Sequence, residues 1–209
     1  MPKSRSRDTK AAILDEAMRL FSEQGFRSTT VRTIAAAVGI KDASLYNHYP
    51  SKQAIFDAIV SDALARMEEE FRSRGALFLA TDDPAGYASI PFSQLRTKVL
   101  GTFEYLFSDP YMVRLRKLLV INQFENQQTL SVYRLIFTEQ PLLLQETIFA
   151  YLMESGEFEP ADAHLLALQF YGPVFLMLHA DTPWPKARPV IEDHLESFYL
   201  SHATTKELP

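Results

Sequence analysis

The residue types that carry most enzyme chemistry are absent or scattered in this chain. Its 209 residues include no cysteine, which excludes disulfides, thiolate metal sites and cysteine nucleophiles. The histidines at 164, 179, 194 and 202 form no i, i+4 pair and no HExxH motif, so no metal site is predicted. No glycine-rich phosphate loop, Ser-His-Asp spacing or pair of acids indicates catalysis. We therefore predict no catalytic residue, no cofactor and no enzyme.

Charge is the chemical signal that the sequence does carry, and it is unevenly distributed. Residues 1–52 hold 9 Lys and Arg against 5 Asp and Glu, a net charge of +4. Residues 53–209 hold 12 against 21, a net charge of −9. A small basic head on a larger acidic body indicates a nucleic-acid contact confined to the head. The alternative is that this difference in charge between the two segments is a local fluctuation without functional meaning.

The basic segment has the apolar spacing of three short helices. The first is predicted to have its N-cap at Asp8 or Thr9. The second follows Ser28-Thr29-Thr30 and ends at Gly39, where glycine adopts the left-handed conformation cheaply. The third is predicted over residues 42–49. Apolar residues at helical spacing support the first two helices: Ile13, Ala17, Leu20 and Phe21, then Val31, Ile34, Ala35 and Val38.

The second and third helices are separated by a turn of about four residues, 39–42. This is the spacing of a helix-turn-helix, whose second helix enters a DNA major groove. A fourth helix is predicted from Lys52 to about Arg74, followed by a linker to Pro91. The rest is also helical in pattern, with helices at about 92–108, 110–125, 127–155, 161–180 and 187–202. Pro141 and Pro173 are expected to kink or break their helices.

No segment of the sequence indicates a membrane span or export. The longest nearly apolar run, residues 170–180, has 11 residues and is too short to cross a bilayer. The basic N-terminus is followed by an amphipathic segment rather than an apolar signal core. We therefore expect no membrane partner and a cytoplasmic location.

Three segments at fixed offsets resemble the DNA-binding domain of TetR-type (TetR/AcrR) bacterial transcriptional regulators. They are GFRSTTVRTIA at residues 25–35, VGI at 38–40 and SLYNHYPSK at 44–52. The resemblance covers about residues 10–60. It implies an all-α fold with an N-terminal three-helix helix-turn-helix domain, residues 1–52. A larger helical domain, residues 53–209, would bind a small effector and dimerise.

The resemblance also implies roles for single residues. Arg32 would reach a base edge, for which the commonest specific pairing is arginine with guanine O6 and N7. Thr30, at the start of the second helix, would place its hydroxyl against a phosphate, and Lys52 would add a charge there. The third helix would supply phosphate or groove contacts from Ser44, Tyr46, Asn47 and His48. Leu45 and Tyr49 would face the core.

The sequence departs from the family at the start of the third helix. Lys41-Asp42-Ala43 stands where the family often has Ser-Lys-Gly. Asp42 would either cap the helix, which we favour, or accept a hydrogen bond from cytosine N4. Lys41 is then a candidate contact to phosphate or base, or a solvated side chain. The operator sequence does not follow from the family.

The larger domain is rich in aromatic residues, most of which we expect to be core. A ligand pocket between its helices would carry few polar groups. The candidates for ligand binding are Phe103, Met112, Asn122, Phe137, Phe149, Tyr171 and Phe175. The homodimer is predicted to form through residues 161–180 and 187–202. Its candidate interface residues are Leu165, Leu168, Tyr171, Phe175, Leu178, Ile191, Leu195 and Phe198.

The predicted function is that of a homodimeric, sequence-specific transcription regulator that acts as a repressor and leaves a palindromic operator when a small apolar or aromatic effector binds. One alternative is a helical small-molecule-binding protein or enzyme whose head is only structural. A second is a non-specific architectural DNA binder, against which the acidic body argues because it repels DNA. Helix four is expected to carry motion between the two domains.

Overall fold

The computed structural model describes residues 3–88, 90–125 and 127–204, with side chains from Thr9 onward. The described part of the chain is helical, and its only β-type pairing is an isolated bridge between Phe158 and Ala203. The all-α fold class is confirmed. The helices are α1 (Lys3–Gln24), α2 (Val31–Val38), α3 (Asp42–Tyr46), α4 (Lys52–Ser73), α5 (Phe92–Ser108), α6 (Pro110–Asn122), α7 (Gln127–Arg134), α8 (Gln140–Glu154), α9 (Ala163–His179) and α10 (Trp184–His202). Among these described residues, no helix is long and apolar enough to span a membrane.

Predicted ends of α1, α3, α6 and α10 differ from the structure, and α6 ends at Asn122 instead of about residue 125. Helix α1 is already helical at Lys3, so the predicted caps at residues 8 and 9 are wrong. Helix α3 stops at Tyr46 instead of residue 49, because Tyr49 precedes Pro50 and a residue before proline disfavours helical geometry. Helix α10 begins at Trp184 instead of about residue 187, with Pro183 at its N-cap. Pro185 is tolerated in the first turn, because the N–H that proline lacks has no helical partner there.

Pro141 changes the helix around it, as its sequence position predicts. A π-helical turn, Leu135–Glu139, separates α7 from α8 just before this proline. In an α-helix the N–H of residue 141 would bond to the carbonyl of Phe137, and proline has no N–H. That carbonyl accepts a hydrogen bond from the buried Tyr171 hydroxyl at 3.1 Å. Helix α9, in contrast, runs through Pro173 without a break.

The chain forms two compact units by its internal contacts. Unit 1 comprises residues 1–66 and 110–133, and unit 2 comprises residues 67–109 and 134–209. The chain therefore passes between the units after residues 66, 109 and 133, and α4 is one of three connections. The functional boundary after residue 52 stays a prediction. The structure adds that α6 packs on α1 within unit 1.

Each unit has its own apolar core. The largest fully buried side chains of unit 1 come from α1, α2, α3, α4 and α6, and they are Ile13, Met18, Phe21, Ile34, Leu45, Ile55, Phe56, Ile59, Met112, Leu115, Leu118 and Leu119. Unit 2 is built around aromatic rings. Phe149 lies 5.6 Å from Phe170 and 5.2 Å from Phe198, measured between ring centroids. Trp184, the only tryptophan, is buried against Phe107 with centroids 5.5 Å apart.

Replacement of Tyr171 by Phe tests the hydrogen bond that compensates for Pro141. The change leaves the Phe137 carbonyl without this donor, so we expect the free energy of unfolding to fall by about 1–2 kcal/mol. Tyr199→Phe is the matched control, because the described residues give its hydroxyl no hydrogen-bond partner. Circular dichroism during urea titration measures both changes. Equal effects of the two substitutions would contradict this role of Tyr171.

Candidate nucleic-acid interface

Helix α2 is held at both ends by local hydrogen bonds. The Thr30 side chain accepts from the Thr33 N–H at 3.1 Å, and the Thr33 hydroxyl oxygen accepts from the Thr30 N–H at 2.9 Å. This reciprocal pair is a capping box formed by two threonines. At the other end Gly39 has φ 77°, and its N–H donates to the Ala36 carbonyl at 3.1 Å. These caps fix both the start of α2 and the turn toward α3.

Helix α3 is anchored by its apolar side. Leu45 is fully buried, and the Tyr49 ring just beyond the helix is 4% exposed, as the core assignments of both residues require. The interpretation of Asp42 as the N-cap is wrong, because the helix begins at Asp42 itself. The N-cap is Lys41, whose side chain makes no capping bond. Asp42 therefore presents an exposed carboxylate in the first turn, and its contact with cytosine stays a prediction.

None of the nine predicted DNA contacts is buried. Six are exposed, namely Thr30, Arg32, Lys41, Asp42, Tyr46 and Asn47, and three are half-buried, namely Ser44, His48 and Lys52. The Tyr46 side chain is 53% exposed, a large value for an aromatic residue. The opposite faces of the same two helices carry the buried Ile34, Ala35 and Leu45. The polar and basic side chains thus share the solvent side of one helix-turn-helix.

Lys52 has an environment that the sequence does not indicate. Its ammonium donates to the backbone carbonyls of Phe26 and Thr29 at 2.6 and 2.7 Å. It also lies 4.3 Å from the centroid of the Phe26 ring. Burial lowers the pKa of Lys52, and the charge of Glu125 opposes that shift. The ammonium is therefore engaged with the turn between α1 and α2, and its phosphate contact stays a prediction.

The predicted ligand residues fall into both units. Phe103, Phe137, Phe149, Tyr171 and Phe175 belong to unit 2, whereas Met112 and Asn122 belong to unit 1. The polar atoms of Asn122 are already bonded: Oδ1 accepts from the Phe26 N–H, and Nδ2 donates to the carbonyls of Phe21 and Leu118. Ligand binding by these seven residues stays a prediction, and for Asn122 the geometry offers a different role.

An open cleft of about 340 Å³ lies on unit 2, away from the predicted ligand residues. It is lined by Glu68, Arg72, Gly75, Ala76, Leu77, Phe78, Leu79 and Asp82. The Asp82 carboxylate is used within the loop, where it accepts from the N–H groups of Phe78 and Leu79. Arg72 pairs with Glu68 and Glu69. The polar groups of this cleft are thus bonded to one another. Among the described residues, no group of three or more metal-ligating side chains is found.

The described residues form a helical fold whose helix-turn-helix leaves its polar face exposed. Residues 13–59 match the family described as "Bacterial regulatory proteins, tetR family". The transcriptional repressor KstR2 of Rhodococcus jostii is 43% identical over 63 residues, which are 30% of this chain and 31% of KstR2. Residues 13–59 are therefore similar to the TetR family, and the predicted resemblance is confirmed. The chain spans less than a third of this curated relative in the match.

Solved structures extend the likeness of fold to nearly the whole chain. A structure described as a TetR-family transcriptional regulator of Mesorhizobium loti has a TM-score of 0.67 at 18% identity and covers 96% of this chain and 99% of its own. SmeT, the repressor of a Stenotrophomonas maltophilia multidrug efflux pump, solved with triclosan, has a TM-score of 0.63 at 22% identity. That match covers 97% of this chain and 98% of SmeT. Both comparisons show the fold.

Arg32→Ala tests direct base reading by α2. Loss of a bidentate arginine contact is expected to cost about 1–3 kcal/mol per half-site and to relax specificity at one base pair. Arg188→Ala is the matched control, because it removes an exposed arginine charge from α10 in unit 2. Fluorescence anisotropy with operator and random duplexes measures both variants. Equal losses on the two duplexes would assign Arg32 to a phosphate.

Proposed function

We propose that this protein is a sequence-specific DNA-binding transcription regulator that acts as a repressor. The observation that carries the proposal is the solvent face of α2 and α3, where the predicted contact residues lie exposed or half-buried over a buried core, with α2 capped at both ends. The basic balance of residues 1–52 supports it, since phosphate contacts supply most non-specific affinity for DNA. The repressor character rests on the likeness to KstR2, which is described as a repressor.

A second copy of the chain is the proposed partner of α9. Leu165, Leu168 and Leu176 are 54%, 43% and 69% exposed and recur along one side of α9. The exposed Gly172 lies on the same side, and a Cβ there would meet nothing within 4 Å. Soluble proteins rarely expose such an apolar stripe without a partner. Two copies related by a two-fold axis would bury it, with α9 and α10 of each forming a four-helix bundle.

The structure corrects the predicted list of interface residues. Tyr171, Leu178, Ile191, Leu195 and Phe198 are buried within the single chain, so they are core residues and not available to a partner. Leu165, Leu168 and the half-buried Phe175 stay candidates for the interface, and Leu176 is added. Val190 on α10 is also exposed, at 53%. The proposed interface therefore lies mainly on α9.

The proposed effector is a small apolar or aromatic molecule bound within unit 2. The aromatic composition of that unit supports it, with Phe103, Phe137 and Phe149 among its buried side chains. An effector that favours the wrong spacing of the two heads by about 3 kcal/mol would lower operator affinity on the order of 100-fold.

Selection of bound duplexes from a random pool at about 150 mM salt tests the proposed function. We expect enrichment of a palindrome, because two identical heads related by a two-fold axis read two identical half-sites. Enrichment of an asymmetric half-site alone would contradict the dimer. No enrichment by the folded protein, with or without candidate aromatic ligands, would instead favour a helical ligand-binding protein or enzyme with a structural head.

Leu168→Glu tests the proposed dimer face. Two buried carboxylates facing each other across a two-fold axis are strongly unfavourable, so we expect a monomer by size-exclusion chromatography with light scattering. Operator affinity should also fall, because the second head no longer binds intramolecularly. Leu79→Glu is the matched control, since Leu79 is also 43% exposed but lies in a loop of unit 2. A Leu168→Glu dimer would show that the interface lies elsewhere.

A further inference from the structure

The turn between α1 and α2, residues 25–30, determines where α2 begins. Thr30 at its end is the N-cap of α2, and Arg32 lies two residues further on. Within the turn, the Gly25 carbonyl accepts from the Thr29 N–H at 3.3 Å and from the Thr29 hydroxyl at 2.9 Å. Other backbone groups of the turn are bonded by side chains from distant parts of the sequence. The position of α2 therefore depends on those side chains.

Side chains from later in the sequence bond to the turn, and two of them, Lys52 and Asn122, bond to the same residue, Phe26. Lys52, at the start of α4, donates to the carbonyls of Phe26 and Thr29. Asn122, the last residue of α6, accepts from the Phe26 N–H at 2.6 Å. Both backbone groups of Phe26 are therefore hydrogen-bonded, the N–H to Asn122 and the carbonyl to Lys52. Its ring packs 5.1 Å from Phe21 and 5.6 Å from Phe56, measured between centroids.

Asn122 is fully buried, and its bonds require one orientation of its amide. Oδ1 points to the Phe26 N–H, which is a donor, while Nδ2 points to two carbonyls, which are acceptors. Those carbonyls belong to Leu118, at 2.6 Å within α6, and to Phe21, at 3.4 Å within α1. One side chain therefore links α6, α1 and the turn. A buried amide lacking these partners would be strongly unfavourable, so the three segments are held together.

Gly25 gives a second sign that Asn122 and the turn fit closely. Gly25 has φ 83°, the left-handed region that favours glycine. A Cβ built on Gly25 would lie 3.4 Å from Asn122 Oδ1 and 3.6 Å from Glu125 Oε1. Glu125, just after α6, also accepts from the Arg27 N–H at 3.2 Å. The turn is therefore shaped around the end of α6.

We propose that Asn122 is a positioning residue for DNA binding, which fixes the start of α2 by holding the Phe26 N–H. The proposal rests on the function proposed above, in which α2 and α3 contact DNA. Asn122 touches no DNA in this proposal. It sets the place from which Arg32 reaches a base. Lys52 fixes the same turn from the side of α4.

The test compares three variants. Asn122→Leu removes all three hydrogen bonds at similar volume, and Asn122→Asp keeps an oxygen for the Phe26 N–H but loses the amide donors. Gln123→Leu is the matched control, because Gln123 follows Asn122 directly and its amide nitrogen donates to the Val120 carbonyl rather than to the turn. Amide hydrogen exchange at Phe26 and Thr33 reports the turn and the α2 cap. Anisotropy with the selected duplex and with random duplex reports binding.

We expect exchange at Phe26 and Thr33 to accelerate about tenfold in Asn122→Leu, because the Phe26 N–H loses its acceptor. The acceleration should be smaller in Asn122→Asp, where an oxygen remains for that N–H. The ratio of selected-duplex affinity to random-duplex affinity should fall in the same order, by about tenfold and less. Gln123→Leu should leave both readouts unchanged. The ratio is decisive, because a smaller folded fraction lowers both affinities by one factor and leaves it constant.

An unchanged affinity ratio in folded Asn122→Leu would overturn the proposal, and unchanged exchange at Phe26 would do so too. If Asn122→Leu does not fold, Asn122→Asp decides by the same two readouts. If the wild-type protein selects no duplex, the proposed function fails, and the role in DNA binding fails with it. The exchange rates then still show whether Asn122 holds the start of α2.

Discussion

Helices α2 and α3 are too short to be stable without tertiary contacts. They have 8 and 5 residues, well below the roughly 12–15 residues at which isolated helices become even marginally stable in water. The polar face of α2 and α3 must therefore be held in place by contacts with residues outside these two helices. Caps fix the ends of α2, the buried Ile34 and Leu45 anchor the inner sides of both helices, and α2 packs on α1, which in turn packs on α6. The head is accordingly larger than a three-helix unit.

The distribution of charge fits this arrangement. The acidic excess of residues 53–209 repels DNA, while the basic residues of the head attract it. In the proposed function, this charge distribution directs DNA to the exposed side of α2 and α3. The same acidic excess opposes association of two chains. Burial of an apolar stripe such as that of α9 can offset this repulsion, because the free energy gained by burying leucine side chains does not depend on the net charge of the chains.

The local elements could be predicted from the sequence, whereas the contacts between distant segments could not. The i, i+3, i+4 apolar spacing and Gly39 determine α2 and the turn that follows, so the helix-turn-helix was predictable. The bond between Asn122 and Phe26 joins residues 96 positions apart, and no periodicity reports it. Lys52 shows the same limit, because a lysine at a helix start has the same sequence pattern whether it meets a phosphate or two carbonyls.

Helix α9 shows why the predicted partner residues were only partly correct. Leu165, Leu166 and Leu168 all lie within four consecutive positions, so the helix is apolar around most of its circumference. Periodicity cannot then distinguish the side that faces the core from the side that faces a partner. Only the packed structure separates the buried Leu166 from the exposed Leu165. The prediction that Asp42 caps α3 was wrong for a simpler reason: the N-cap is one residue earlier, at Lys41.

The burial of the single tryptophan against Phe107 has a practical consequence. Trp184 lies in unit 2, and unit 1 contains no tryptophan, so tryptophan emission reports on unit 2 alone. Far-ultraviolet dichroism reports the helices of both units. Coincident melting curves from the two signals would identify one cooperative transition, and separate midpoints would show that the DNA-binding head and the aromatic body melt independently.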